Sequence, residues 1–564
     1  MRTTLRTLGL LGLLAPSPAS ASATPYVWPS KYDQLDDILY LQSGYIKVGT
    51  LSDQVLTCSF GASAPGIQKA AEWVRTAFHD TITHNRHTQT GGLVASIQYE
   101  LDRPENKGAA LNNTLGDIAS LVSVRNSAAD LLALAFVMAV AKCGDMRVPL
   151  RLGRQDASGK GEKGVPEAWT DVETTRGRFE EGGFGKVDTI TLIACGHSIG
   201  GVHSIDHPEI VSSRPISASN KPSFDTSSGL LDNAVVLEYL NSSTTNPLVT
   251  AQNSTLQSDR RIFSLDNNAT ISKLADARYF KKQCSAVFTK LLNNVPSTVK
   301  LTQEALSPAD IRPYISTYAL SSDEKTVELA GRIRVRTTPV TGRDANSLTV
   351  SLLPLPFPLN SSSSSTVGNS SAKEIRTTAP TYLLGQTSGY LDEMFQWFEF
   401  NTTVPATELF GAFNIRVNGK VYDNSHTGGY PLRSDILFQA AQSCVELDKD
   451  TSRGTLKVVT AVSKGLLARG KRPVMRVVKR VGRQGFYIPE LREERVGMGR
   501  VGGEEEEEAK GGSGYVWYRG TAVLEKEGLE TEFSLEVEGG DGGGGDKGEW
   551  VETRSMLGRE CKAV

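Results

Sequence analysis

Residues 70–85 read AAEWVRTAFHDTITHN. With Ile67 just upstream, the apolar residues Ala70, Ala71, Val74, Ala77 and Phe78 recur at the spacing of one helical face, which predicts a helix over 67–79. Arg75 and His79 stand four apart, so they project from one side of that helix, one turn from each other. An acid, Asp80, follows at once. A helix that buries one face and still carries a base beside a fixed cation is built for a pocket rather than for packing alone.

Outward from this stretch, the chain divides by texture. Helical apolar spacing continues at 128–142, 188–195, 231–241 and 270–293, joined by Gly-, Pro- and Ser-rich connections. After Pro296 the pattern changes to alternating runs: GRIRVRTT, SLTVSLL, GAFNIRVNGKVY, TLKVVTAV and TEFSLEVE, separated by turn residues. The expected architecture is a mostly α domain over 24–296 followed by a β-rich C-terminal domain over 297–564, for which a sandwich is one arrangement. Low-complexity pieces at 360–371, 502–514 and 539–548 read as surface loops or tails. The basic stretch 464–483 reads as a solvated strand pair in preference to a polyanion site.

At 564 residues the chain exceeds one ordinary core, and its net charge of −2 gives no hint of a nucleic-acid partner. Arg2 and Arg6 precede the apolar run LGLLGLLAP, and Ala21-Ser22-Ala23 offers a cleavage site, so residues 1–23 read as a secretory signal peptide. Glycan acceptor sequons at Asn112, Asn241, Asn253, Asn268, Asn360, Asn369 and Asn401 agree with a secreted, extracellular glycoprotein. Six cysteines allow up to three disulfides, and none forms a C-x-x-C pair. The longest apolar run, 131–141, is well short of the ~20 residues of a membrane span and predicts a core helix.

Six of the seven histidines fall in two groups, His79, His84, His87 and His197, His203, His207. Neither group has the H-E-x-x-H spacing of a zinc hydrolase. The Arg75–His79 pair suits heterolysis of a peroxide O–O bond. Neutral histidine takes a proton from one oxygen and gives it to the other, arginine offsets the leaving charge, and a redox cofactor holds the oxidising equivalents. In TLIACGHSIGGVH, His197 follows an apolar helical run among small residues that would let a flat macrocycle approach, which makes it a candidate axial haem ligand. By spacing alone, packed or surface histidines remain an equal reading.

Together these motifs resemble the plant-peroxidase superfamily, in particular the secreted fungal haem peroxidases of class II, from about Cys58 to Leu292. Arg75, Phe78, His79 and Asp80 stand as its distal R-x-x-F-H-D, and ACGHSIGGVH around His197 as its proximal motif. The resemblance implies one haem b per chain, with His197 as axial ligand and Phe78 in the haem pocket. It further implies that Asn106 of DRPEN fixes the tautomer of His79, and that Asp259 of LQSDRRI accepts the proximal imidazole N–H. It implies a proximal calcium held by Ser198, Asp225, Ser227, the carbonyl near Leu230, and Asp232. A distal calcium would take Asp80, Gly92 and Ser96, but Val94 stands where the family carries an acidic ligand, and Asp80 then also reads as a plain helix C-terminal acid. Cys58 and Cys143 match a family disulfide. Cys284 has a family counterpart of unclear pairing, Cys195 is free or bonded to it, and Cys444 and Cys561 are candidates to close the β-rich part.

The family's manganese positions fall on Gln68, Glu72 and His203, and its surface relay tryptophan position on Leu192, so neither substrate route is expected. What the resemblance leaves is a peroxidase reducing hydrogen peroxide and oxidising small phenolic or aromatic amine donors at the haem edge. For the C-terminal half, cell-wall or polysaccharide contact, docking on the peroxidase face and a purely structural role are equal readings. The rival expectation is a catalytically degenerate peroxidase fold kept as a secreted binding or structural protein.

Overall fold

In the computed structural model, described over residues 26–48, 51–211, 215–355, 373–502, 514–539 and 549–563, the helical part is built around Ala128–Gly144. Every residue of that helix from Ala128 to Val140 is buried, as expected of a helix apolar on all sides. The Ser127 hydroxyl caps it by accepting from the Asp130 backbone N–H at 3.0 Å. Against it packs Lys69–Thr81, whose buried face includes Ala70, Trp73, Val74 and Ala77. Lys186–Gly196 and Ala234–Leu240 also follow the sequence pattern. The run expected as one helix over 270–293 is two, Ala269–Leu274 and Ala277–Asn293, because Asp276 turns its carboxylate onto the Tyr279 N–H at 2.7 Å and starts a new helix.

All five strand-like runs form strands, and among the described residues every strand pairs with its neighbours antiparallel. Ile311–Leu320, Thr326–Arg336, Met394–Pro405 and Gln386–Ser388 make one sheet. Val350–Leu355 and Ala412–Val417, with short neighbours, make a second. The facing sides share a core of Leu329, Ile333, Val335, Leu352, Phe413 and Ile415. A second pair of sheets, around Gly454–Ser463 and Tyr515–Leu524 on one side and Arg472–Val481 and Glu532–Glu538 on the other, shares Leu456, Val458, Met475, Val477 and Phe533. The β-rich region is therefore two face-to-face sheet pairs in tandem. The basic stretch lies within them: Arg476 is paired with Glu493 and Glu536, and Arg480 donates to the carbonyls of Ala119 and Val122.

Residues 26–48 run onto this β-rich region. Trp28 and Asn424 exchange backbone and amide hydrogen bonds at 2.7 Å, and Ser43–Gly44 adds a short strand beside Thr387 and Ser388. Helix Asp33–Tyr40 sets Asp36 and Asp37 against Arg312 and Arg334, which sit directly opposite one another in neighbouring strands. Two like charges in register repel; the two carboxylates offset that repulsion inside a buried cluster. Tyr390, Phe395, Trp397 and Ile488 complete the helical core from the β side.

Disulfides join Cys58 to Cys143, Cys195 to Cys284 and Cys444 to Cys561. The leader 1–23, the sequons at Asn360 and Asn369, and nearly all of the low-complexity pieces lie outside the described residues. None of the other five sequon asparagines is buried. Among the described residues, no helix is long and apolar enough to cross a membrane.

Candidate active site

One cleft receives both histidine motifs. Arg75, Phe78 and His79 line one wall, and Gly196, His197, Phe224 and Asp259 line the other; it encloses about 1630 Å³ of atom-free space, counting its open mouth. On the first wall, the helical turn that puts Arg75 over His79 brings the Arg75 Nε–H to 3.3 Å from His79 Nε2. His79 Nδ1 lies 2.8 Å from Asn106 Oδ1, and the Asn106 amide donates in turn to the Glu100 carbonyl at 3.0 Å. Since the Asn106 nitrogen is committed to Glu100, its oxygen must accept, so His79 carries its proton on Nδ1 and keeps the Nε2 lone pair. Burial, reinforced by the Arg75 charge and opposed by the Asn106 hydrogen bond, pushes His79 down to about 3. Phe78, half-buried, leans on Phe179 at 6.0 Å between ring centres.

On the opposite wall His197 closes the C-terminal end of Lys186–Gly196, its N–H bonded to the Ile193 carbonyl at 2.8 Å. Its Nδ1 lies 2.8 Å from Asp259 Oδ2, and its ring stacks on Phe224 at 4.3 Å. The disulfide Cys195–Cys284 ties this helix end to Ala277–Asn293. A Cβ at Gly196 would meet open space, whereas one at Gly201 would strike the Pro222 carbonyl at 2.1 Å. Gly196 thus leaves room at the cleft face, while Gly201 lets the Pro222 backbone approach closely.

Four of these residues were not singled out in the sequence. Glu100 anchors Asn106, Phe224 stacks on His197, Lys221 donates to Gln68 Oε1 at 2.6 Å, and Asn246 reaches Asp259. Only Asn246 had a local signal, the Asn-Pro pair that marks a helix start. Lys221 puts a cation beside Gln68, while Glu72 keeps one carboxylate oxygen buried without a partner.

Asp80 points away from the cleft. Its two oxygens accept from the backbone N–H groups of Val94, Ala95 and Ile97 at 2.7–2.8 Å and from the Ser96 hydroxyl at 3.2 Å. Burial pushes its carboxyl up to about 7 against the pull of those donors. Its lone pairs are directed at protein donors, and Val94 is buried beside it. The other acidic group is unlike it. Asp225 is buried, and among the described residues its Oδ2 has no partner; Ser227 Oγ donates to Asp232 Oδ1 at 2.9 Å and lies 3.3 Å from Asp225 Oδ1, and one buried Glu238 oxygen likewise has none. Ser198 is fully buried, its hydroxyl donating to the Cys195 carbonyl at 2.7 Å, and the exposed Leu230 donates its N–H to the Ser227 carbonyl. Burial and the facing Asp232 and Glu238 charges push Asp225 up to about 7.

The peroxidase family model matches residues 58–278. A WSC domain-containing protein of Arthroderma benhamiae is 36% identical over 457 residues, 80% of this chain and 60% of that protein. A putative L-ascorbate peroxidase 6 of Arabidopsis thaliana is 34% identical over 138 residues, and the peroxisomal L-ascorbate peroxidase 5 of the same plant 33% over 132; each match covers 23% of this chain. The chain spans 60% of the length of the first relative and 41% and 47% of the other two. Residues 58–278, which bring an Arg-His wall backed by Asn106 and a His-Asp wall to one cleft, form a peroxidase-family domain of the plant-peroxidase superfamily, and the β-rich extension after it is shared with the Arthroderma protein.

Proposed function

We propose that the protein is a haem peroxidase that reduces hydrogen peroxide in this cleft and oxidises small phenolic or aromatic amine donors. The observation that carries the reading is the convergence of Arg75, His79 and Asn106 with His197 and Asp259 across one apolar-walled space. The residues suit a haem: among the described residues His197 Nε2 has no hydrogen-bond partner while Nδ1 is held, and Gly196 beside it leaves open space. Held there by His197, haem would supply a redox-active iron and the oxidising equivalents.

The chain's own residues handle the protons. His79 Nε2 takes the proton from one peroxide oxygen and returns it to the other, which leaves as water. Asn106 holds the Nδ1–H tautomer through both transfers. Arg75 stands against Nε2 and the cleft, where it offsets negative charge on the departing oxygen. Ser198, Asp225, Ser227, the Leu230 carbonyl and Asp232 would hold a proximal calcium, supported by the buried, unpartnered Asp225 Oδ2. A distal calcium is left out of the proposal because Asp80 is already satisfied. Three disulfides and unburied sequons support placing the protein outside the cell.

The full chain titrated with haem should bind it one to one with a Soret band, and peroxide should change that spectrum. No uptake would overturn the reading. Uptake without a reaction with peroxide would favour a fold kept for binding.

A further inference from the structure

Asp259 Oδ2 accepts twice. His197 Nδ1 lies 2.8 Å from it, and the Asn246 side-chain nitrogen donates to the same oxygen at 2.8 Å. Asn246 is fully buried, and its amide orientation is set independently. Its Oδ1 caps the short helix Pro247–Thr250 by accepting the Leu248 N–H at 2.8 Å, so the NH₂ group must face Asp259. One carboxylate oxygen therefore divides its electron density between two donors.

We propose that Asn246 is a positioning residue that sets how strongly Asp259 draws on the His197 N–H, and through it the electron donation of His197 to a bound metal. The inference rests on the reading of His197 as axial ligand. A second donor on Oδ2 makes that oxygen a weaker acceptor, so His197 keeps more neutral imidazole character than a carboxylate with a single donor would allow. Removing the donor shifts the proton of His197 Nδ1 toward Asp259 and strengthens the metal–imidazole bond.

Two variants separate this role from capping. Asn246→Ser keeps an oxygen at the cap but cannot reach Asp259, whereas Asn246→Ala loses both functions. In the haem-free full chain with labelled histidine, both variants should move the His197 Nδ1–H proton resonance downfield. In the haem-loaded chain both should raise the iron–histidine stretching frequency and shift the ferric/ferrous potential to more negative values. Only Asn246→Ala should also lower the melting temperature. Unmoved resonance, frequency and potential in both variants, whatever happens to the melting temperature, would overturn the proposal and leave Asn246 a helix cap. A wild-type chain that takes up no haem would remove the proposed function, and the resonance of the haem-free chain would still decide the hydrogen-bond coupling.

Discussion

His79 shows how far one side chain's environment sets its chemistry. Left in water it would be half protonated near 6.5; buried beside Arg75, it is pushed down to about 3 and stays neutral throughout the neutral range. The sign follows directly. A histidine with a depressed folded-state value is a competent base above that value, and its protonation opposes folding only as the pH falls from 6.5 toward 3. The rate of peroxide reaction should therefore stay flat from about pH 8 down to about pH 5, with no half-loss near 6.5, when followed by stopped-flow absorbance. His79→Leu should keep haem uptake and slow that reaction by ~10²–10⁴; an unchanged rate would remove His79 from the proton transfer. Arg75 and His79 were legible from their one-turn spacing and His197 from the apolar run before it, whereas Asn106 and Asp259 were reached only through the family resemblance. Phe224 and Glu100 were not legible, since a stacking contact and a backbone carbonyl acceptor have no residue pattern to announce them, and the Asn-Pro pair at Asn246 marks a helix start without pointing to Asp259.

At the scale of elements, two carboxylates expected to bind calcium, Asp80 and Asp225, meet different surroundings in the fold. The loop 94–97 wraps its backbone N–H groups around Asp80, so that carboxylate serves as the loop's anchor. In the loop 225–232, Asp225 Oδ2 is buried with no partner among the described residues, and such a group is costly until a cation or proton meets it. Elemental analysis of the purified chain should find about one calcium per molecule, and Asp225→Ala should abolish it. Chelation should lower the melting temperature of the wild type and leave Asp225→Ala unaffected. Calcium retained by Asp225→Ala would place the ion elsewhere. Val94 was the readable part of this contrast; the inward turn of three backbone N–H groups was not, because backbone direction has no residue code.

In the whole molecule, the helical and β-rich parts are held together by groups that each half would find unfavourable alone. Arg312 and Arg334 are paired across two strands, and Asp36 and Asp37 come from a helix more than 270 residues earlier. Breaking a buried pair from one side leaves a charge uncompensated, so Asp36→Ala should cost ~3–5 kcal/mol in urea unfolding. The double variant Asp36→Leu with Arg334→Met should lose less than that single one; equal or larger losses would show that the pair is not coupled. The sequence by itself determined the helical and strand periods, the change of texture after Pro296 and both histidine motifs, because periodicity and short spacing are local properties of a chain. Only the tertiary structure decided the two tandem sheet pairs, the docking of residues 26–48 onto them, and the approach of 75–79 and 197 to a single cleft. Those depend on which buried surfaces and charges find partners across hundreds of residues, and no local pattern encodes that choice.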